Sequence, residues 1–270
     1  MSQELSGLEN FAVGATAGTV EVSILQPMLY CKNASQQGLP LSLNPMVLYR
    51  GLTVSVLNMA SLTALQFPLS SISAGIITGG ESATRPLTDG EQVASGFCGG
   101  ALSGFLCAPM ELVLIQQQRF GGSLLGTPMR IMSEAGTLSI MRGLIPSCGR
   151  EGLFTAGYVG IGPAFAKALR EKGSVEPVQA KMLGAIGAGV FCATLSHPMD
   201  TIKTCMQGDI QQATYKGIAH TYSTLMTQGG VSALFRGWGW RTSRMILAVG
   251  IMSECKEKLG PLMFAHKFSK

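Results

Sequence analysis

His197-Pro198-Met199-Asp200-Thr201-Ile202-Lys203, with Gln207 four residues further on, decides the fold because the chain contains degenerate copies of it. One reads Gln26-Pro27-Met28-Leu29-Tyr30-Cys31-Lys32 with Gln36, another Ala108-Pro109-Met110-Glu111-Leu112-Val113-Leu114 with Gln118. Each follows an apolar, glycine-rich stretch, and each is followed by an Arg-Gly pair: Arg50-Gly51, Arg142-Gly143 and Arg236-Gly237. From Pro27 to Pro109 to Pro198 the steps are 82 and 89 residues. That is too long for a solenoid, whose repeats run ~20–50 residues, and fits three copies of a two-helix unit.

Composition supports a membrane setting. Charged residues make up 13% of the chain and mean hydropathy is +0.31; soluble domains carry about 25% charged residues. The apolar stretches are interrupted by Gly, Ser, Thr and Pro, as suits helices that pack closely and line a polar cavity. A soluble enzyme built on Gly-rich buried helices is the competing class. Its chemistry is not in evidence in the sequence: there is no Gly-rich phosphate loop after a strand pattern, and no His/Cys/Asp cluster with metal spacing. The seven cysteines have neither metal-ligand nor redox-motif spacing and read as small buried residues. A net charge of +5 has no basic, aromatic-interleaved patch behind it, so nucleic acid is not an expected partner. The start, Met1-Ser2-Gln3-Glu4, is acidic and does not read as a cleavable signal.

Six transmembrane helices are expected near 8–36, 52–76, 91–119, 144–169, 177–207 and 238–260, an all-α membrane protein in one domain over 1–270. The repeats are expected at about 8–77, 91–170 and 177–260. Pro27, Pro109 and Pro198 fall inside the first helix of each repeat, where a proline removes a hydrogen bond and kinks the helix. Gly14/Gly18, Gly96/Gly100 and Gly100/Gly104 have the spacing of close-packing surfaces. Short amphipathic segments are expected near 43–49, 126–134 and 217–227, the first truncated because only 24 positions separate Pro27 from Gly51. The tail from Pro261 reads as poorly ordered. Basic residues gather in the loops after the signatures, which places both termini on the opposite side.

These motifs resemble the mitochondrial carrier family: Pro-x-[Asp/Glu]-x-x-[Lys/Arg] with a glutamine four positions later, then an aromatic-[Lys/Arg]-Gly. The resemblance spans about residues 8–258. It implies threefold pseudosymmetry, a water-filled cavity and alternating access across the mitochondrial inner membrane, with the termini on the intermembrane-space side and short amphipathic helices on the matrix side. It implies a matrix gate in which the acid of one repeat pairs with the base of the next: Glu111 with Lys203, and Asp200 with Lys32. The remaining pair becomes Leu29 against Leu114, so both partners of one bridge are lost together. That matters because a buried orphan charge costs about 3–5 kcal/mol, whereas a matched apolar pair is near neutral. Gln36, Gln118 and Gln207 complete the gate. On the opposite side the gate is poor: Ser70–Ser73 holds no charge, the second repeat offers Lys167, and the third a displaced Glu254–Lys258.

At the level that contacts substrate in the family stand Asn58, Arg150 followed by Glu151, and Arg244. Arg150 and Arg244 together would clamp a carboxylate, and Glu151 would hold an ammonium. An Arg followed by an acid resembles the amino-acid carriers and implies an amino acid or related small carboxylate or zwitterion. Arg241 is a further candidate cavity charge. No enzymatic cofactor is expected; the Arg-Gly pairs at Arg50-Gly51, Arg142-Gly143 and Arg236-Gly237 would bind cardiolipin at helix N-termini. Two readings stay open: a solute carrier, or a carrier-fold structural subunit of a respiratory assembly, which the lost bridge, weak outer gate and short first loop would suit.

Overall fold

The computed structural model describes residues 7–158 and 176–264 and, between them, Gly162, Phe165, Lys167 and Arg170. Among these the chain is helical without strands. Six helices form the frame: α1 (Gly7–Gln36), α3 (Leu52–Ile77), α4 (Asp89–Phe120), α6 (Leu144–Ala156), α7 (Pro177–Gly208) and α9 (Trp238–Met263). Three short ones, α2 (Pro45–Leu48), α5 (Gly126–Ala135) and α8 (Ile218–Leu234), lie in the connections after α1, α4 and α7. The all-α expectation is met, with α2 reduced to four residues. The latter half of the fourth expected helix and the linker at 171–175 lie largely or wholly outside the described residues.

Packing follows a closed ring. α1 packs on α3, α3 on α4, α4 on α6, α6 on α7, α7 on α9, and α9 back on α1. Inside the ring α1, α4 and α7, which carry Pro27, Pro109 and Pro198, also touch one another. The polarity is inverted relative to a soluble protein. Phe67, Ile72, Phe105, Leu106, Phe191 and Leu195 face outward, while Glu21, Lys32, Glu111, Glu151, Asp200 and Lys203 are buried. Charged side chains are almost never fully buried unless paired. An apolar exterior around a charged interior matches lipid outside. By length and composition, the segments Pro45–Ile77, Asp89–Phe120 and Met182–Gly208 are able to cross a membrane.

Local signals explain the helix limits. A capping box starts α4: Thr88 Oγ1 accepts from Glu91 N–H (3.3 Å), and Thr88 N–H donates to the Glu91 carboxylate (2.9 Å). The Gly-x-x-x-Gly expectation divides. Cβ atoms at Gly96, Gly100 and Gly104 would meet α6 backbone or side chains at 2.4–3.1 Å, so these glycines let α4 and α6 approach. A Cβ at Gly14 or Gly18 would meet nothing within 4 Å among the described residues, so their spacing does not mark a close helix contact there. The expectation of disorder from Pro261 fails through residue 263, because α9 continues to Met263. A proline this close to a helix end forfeits little of the hydrogen-bond ladder.

The Arg-Gly pairs tie the ring together. Gly51, Gly143 and Gly237 have φ of +77°, +78° and +78°, and each immediately precedes α3, α6 or α9. A Cβ at Gly51 would lie 2.6 Å from Leu114 of α4, at Gly143 2.9 Å from Gln207 of α7, and at Gly237 2.8 Å from the Lys32 carbonyl of α1. Each glycine thus abuts the signature helix of the next copy, and the third closes on the first. Gly237→Ala is expected to destabilise the protein by at least ~1–2 kcal/mol from the left-handed backbone alone, with the Lys32 carbonyl clash added. Gly239→Ala, where nothing lies within 4 Å, should be nearly silent. Thermal unfolding of both variants in detergent measures the contrast.

Candidate substrate site and gate

Position within the signature sets what each side chain reaches. Lys32 Nζ lies 2.8 Å from Asp200 Oδ2, joining α1 to α7, and Lys203 Nζ lies 3.1 Å from Glu111 Oε2, joining α7 to α4. At the remaining junction Leu29 packs against the apolar cluster that contains Leu114. The polar tie between α1 and α4 is displaced by one turn: Asn33 Nδ2 donates to Gln118 Oε1 at 2.6 Å. Gln36 Nε2 donates to Asp200 Oδ2 (2.8 Å) beside Lys32. Gln207 instead donates to the Arg142 carbonyl (3.2 Å). Of the three glutamines, only Gln36 is bonded to an ion pair.

Two arginines of the even helices join this layer. Arg150 Nη2 bonds both the Glu111 and the Glu151 carboxylates, and Arg150 Nε stands 3.5 Å from Asp200 Oδ1. Arg241 Nη1 lies 3.7 Å from Asp200 Oδ2, and Arg241 Nη2 donates to Ser196 Oγ (2.8 Å). Ser147 Oγ donates to Glu111 Oε2 (3.1 Å). One carboxylate, Asp200, therefore collects Lys32, Gln36, Arg150, Lys203 and Arg241. The cluster holds four cations (Lys32, Arg150, Lys203, Arg241) and three acids (Glu111, Glu151, Asp200), an excess of one positive charge.

Arg244 is held elsewhere. Arg244 Nη2 donates to Glu21 Oε1 of α1 at 2.9 Å, and Glu21 is 1% exposed. Arg150 and Arg244 thus serve different carboxylates, and the structure does not bring them onto a shared partner. Asn58 is buried on α3 with Oδ1 unpartnered. Sequence reasoning missed Glu21, Asn33 and Ser147. For Glu21 the signal was present: it precedes Lys32 by 11 residues, about three helical turns, and so shares its face. At the other end of the ring Lys258 Nζ pairs with Glu254 at 2.9 Å within α9 itself.

The arginines of the Arg-Gly pairs face the C-terminal ends of the signature helices, where carbonyls lack helical partners. Arg142 Nε donates to the carbonyls of Met206 (2.6 Å) and Asp209 (2.9 Å), and Nη2 to that of Tyr215. Its guanidinium is committed to protein. Arg50 lies beside Gly121 at the end of α4, and Arg236 beside Gly38 past the end of α1. Their carbonyls are used too: Gln26 Nε2 donates to Arg50 O and His197 Nε2 to Arg236 O, both at 3.0 Å. In the loop beyond α7, partial burial works against the charge of Asp209, yet the N–H groups of Tyr215, Thr214 and Ala213 hold its carboxyl below the ordinary value.

A closed ring of helices with an apolar exterior, inward charges and an ionic latch at one end is the architecture of a membrane solute transporter. The sequence profile described as "Mitochondrial carrier protein" matches residues 85–173 and 174–267. The chain belongs to the mitochondrial carrier family. Over 261 residues it is 25% identical to a probable mitochondrial 2-oxodicarboxylate carrier of Dictyostelium discoideum, covering 90% of this chain and 87% of that protein. It is 23% identical to the mitochondrial glycine transporter of Aspergillus niger, covering 93% and 89%. It is also 27% identical to the electrogenic aspartate/glutamate antiporter of Rattus norvegicus, covering 76% of this chain and 30% of that longer protein. At the coarse level these are transporters and not enzymes, and the chain is a solute carrier.

Because Asp200 answers several cations at once, Asp200→Asn should cost about 3–5 kcal/mol, the range for removing one partner of a buried ion pair. Asn33→Ala, which removes one neutral hydrogen bond, should cost about 1–3 kcal/mol. Thermal unfolding in detergent ranks the two; an equal loss would contradict the central place of Asp200.

Proposed function

We propose that this protein is an alternating-access carrier of the mitochondrial inner membrane for an amino acid or a related small carboxylate. The observation that carries the reading is Arg150, whose guanidinium touches Glu151 at the expected substrate level and also the gate acids Glu111 and Asp200. A substrate carboxylate that engages Arg150 withdraws a cation from both ionic contacts of the latch. Binding and opening then compete for one side chain, which is the differential interaction a ligand-driven conformational shift requires. The same step releases Glu151 to accept a substrate ammonium. The single excess positive charge of the cluster favours a ligand that brings a carboxylate. The relatives are named for 2-oxodicarboxylate, glycine and aspartate/glutamate, all small carboxylates.

In this reading the Lys32–Asp200 and Glu111–Lys203 contacts are the matrix gate, closed here, and the cavity opens toward the intermembrane space, where both termini lie. Cardiolipin is proposed at the helix starts after Gly51, Gly143 and Gly237, held by the positive end of the helix dipole more than by Arg142. A purely structural role in a respiratory assembly is less well supported: a static scaffold gains nothing from seven ionisable groups gathered in one layer, five of them buried, and burying charge is costly.

The purified chain in liposomes is expected to exchange at least one of glycine, aspartate, glutamate and 2-oxoglutarate. Arg150→Ala is expected to slow exchange about 100-fold, the factor for losing an interaction of ~3 kcal/mol. Absence of uptake across the panel, together with co-purification with respiratory subunits in mild detergent, would move the assignment to the structural role.

A further inference from the structure

The Glu21–Arg244 pair takes no part in the gate. Glu21 is buried on α1, about three turns before Lys32 on the same face. Its Oε2 and Arg244 Nε are both buried without a hydrogen-bond partner. The two side chains differ in access: Arg244 is 26% exposed, Glu21 only 1%. Of the two, the arginine is therefore the one a solute would meet first.

The surroundings supply little further charge. Arg244 of α9 is the charge that acts on Glu21. Arg241, one turn earlier on α9, is engaged with Ser196 and Asp200. α3 has no titratable side chain between Leu52 and Ile77, and α2 has none between Pro45 and Leu48. On α7, Asp200 and Lys203 belong to the gate with Lys32, and His197 donates to the Arg236 carbonyl. On α4, Glu111 is taken by Lys203, Arg150 and Ser147.

A carboxylate reaching Arg244 thus meets a pair that is already neutral. Its arrival would leave one negative charge that this pair does not compensate, at membrane depth, where charges are costly and demand a partner. A proton on Glu21 removes the conflict. An O–H bond forms on the carboxyl, Arg244 is freed to pair with the incoming carboxylate, and the net charge of the layer stays zero. When the substrate leaves on the other side, Glu21 returns its proton to water and pairs again with Arg244. No electron is transferred. We infer that Glu21 is a proton-binding site of this carrier, so that one proton crosses with each substrate molecule. The inference rests on the transport reading above and extends it from solute exchange to proton-coupled movement.

The test uses the full chain in liposomes loaded with pyranine, offered radiolabelled glutamate, aspartate, glycine and 2-oxoglutarate with the outside one pH unit more acidic. With the membrane potential held at zero by valinomycin and equal potassium on both sides, one proton per solute sustains about a tenfold accumulation across such a gradient, with matching acidification inside. Glu21→Gln, checked for exchange at equal pH, should bring the accumulation ratio to about one. If Glu21→Gln does not exchange, Glu21→Asp decides the matter: it keeps a carboxyl and should keep the tenfold ratio. Wild-type exchange that ignores the gradient, Glu21→Gln accumulating like wild type, or Glu21→Asp exchanging without accumulation would each overturn the proton site alone. A wild type that moves none of the four solutes would overturn the transport reading and the proton site with it.

Discussion

Asp200 sits where three signature helices and two even helices converge, and the electrostatics of that one carboxylate constrain the rest of the ring. Lys32, Lys203, Arg150 and Arg241 approach it from α1, α7, α6 and α9. A lone ion in a low-dielectric interior costs several kcal/mol, so none of these cations tolerates being placed elsewhere without a new partner. The helices must therefore meet at this level, and the prolines, glycines and small residues above it allow them to. The inverted polarity follows: charges gather where they neutralise one another, and the apolar faces are left for lipid.

The Arg-Gly pairs supply a second cyclic constraint. A glycine with positive φ lets α3, α6 and α9 start hard against the next signature helix, while the preceding arginine lies at that helix's carbonyl end. Where the ionic latch is missing, between α1 and α4, the joint keeps this glycine contact and adds leucine packing and the Asn33–Gln118 amide bond. A neutral hydrogen bond contributes only about 0.5–1.5 kcal/mol net. The α1–α4 seam consequently relies on shape more than charge, and the two ionic seams carry the electrostatic part of closure.

Two charged layers emerge along the interior. The lower one is the latch, into which Arg150 reaches; the upper one is Glu21–Arg244. In the function proposed above, Arg150 serves both substrate and latch, so that recognition and opening would need no relay of intervening residues. The upper pair is a carboxylate and a guanidinium of opposite charge.

Much of this was legible in the chain itself. The tripled signature and its spacing determined the helix order, the membrane setting and the family, because proline, glycine and charge act through local geometry that repeats at fixed intervals. The Glu111/Lys203 and Lys32/Asp200 contacts followed from the resemblance to the carrier family, whose gate pairing maps onto the repeats. The orientation of the long side chains could not. Arg150 and Arg244 looked like a shared clamp, yet a guanidinium on a flexible stem goes to whichever carboxylate the packing presents, and α4, α7 and α1 present different ones. Gly14 and Gly18 had the spacing of a contact surface, but spacing does not say whether another helix is there to touch. Glu21 acquired its meaning only when α9 closed the ring and set Arg244 beside it, since an ion pair across 223 residues depends on which helices become neighbours.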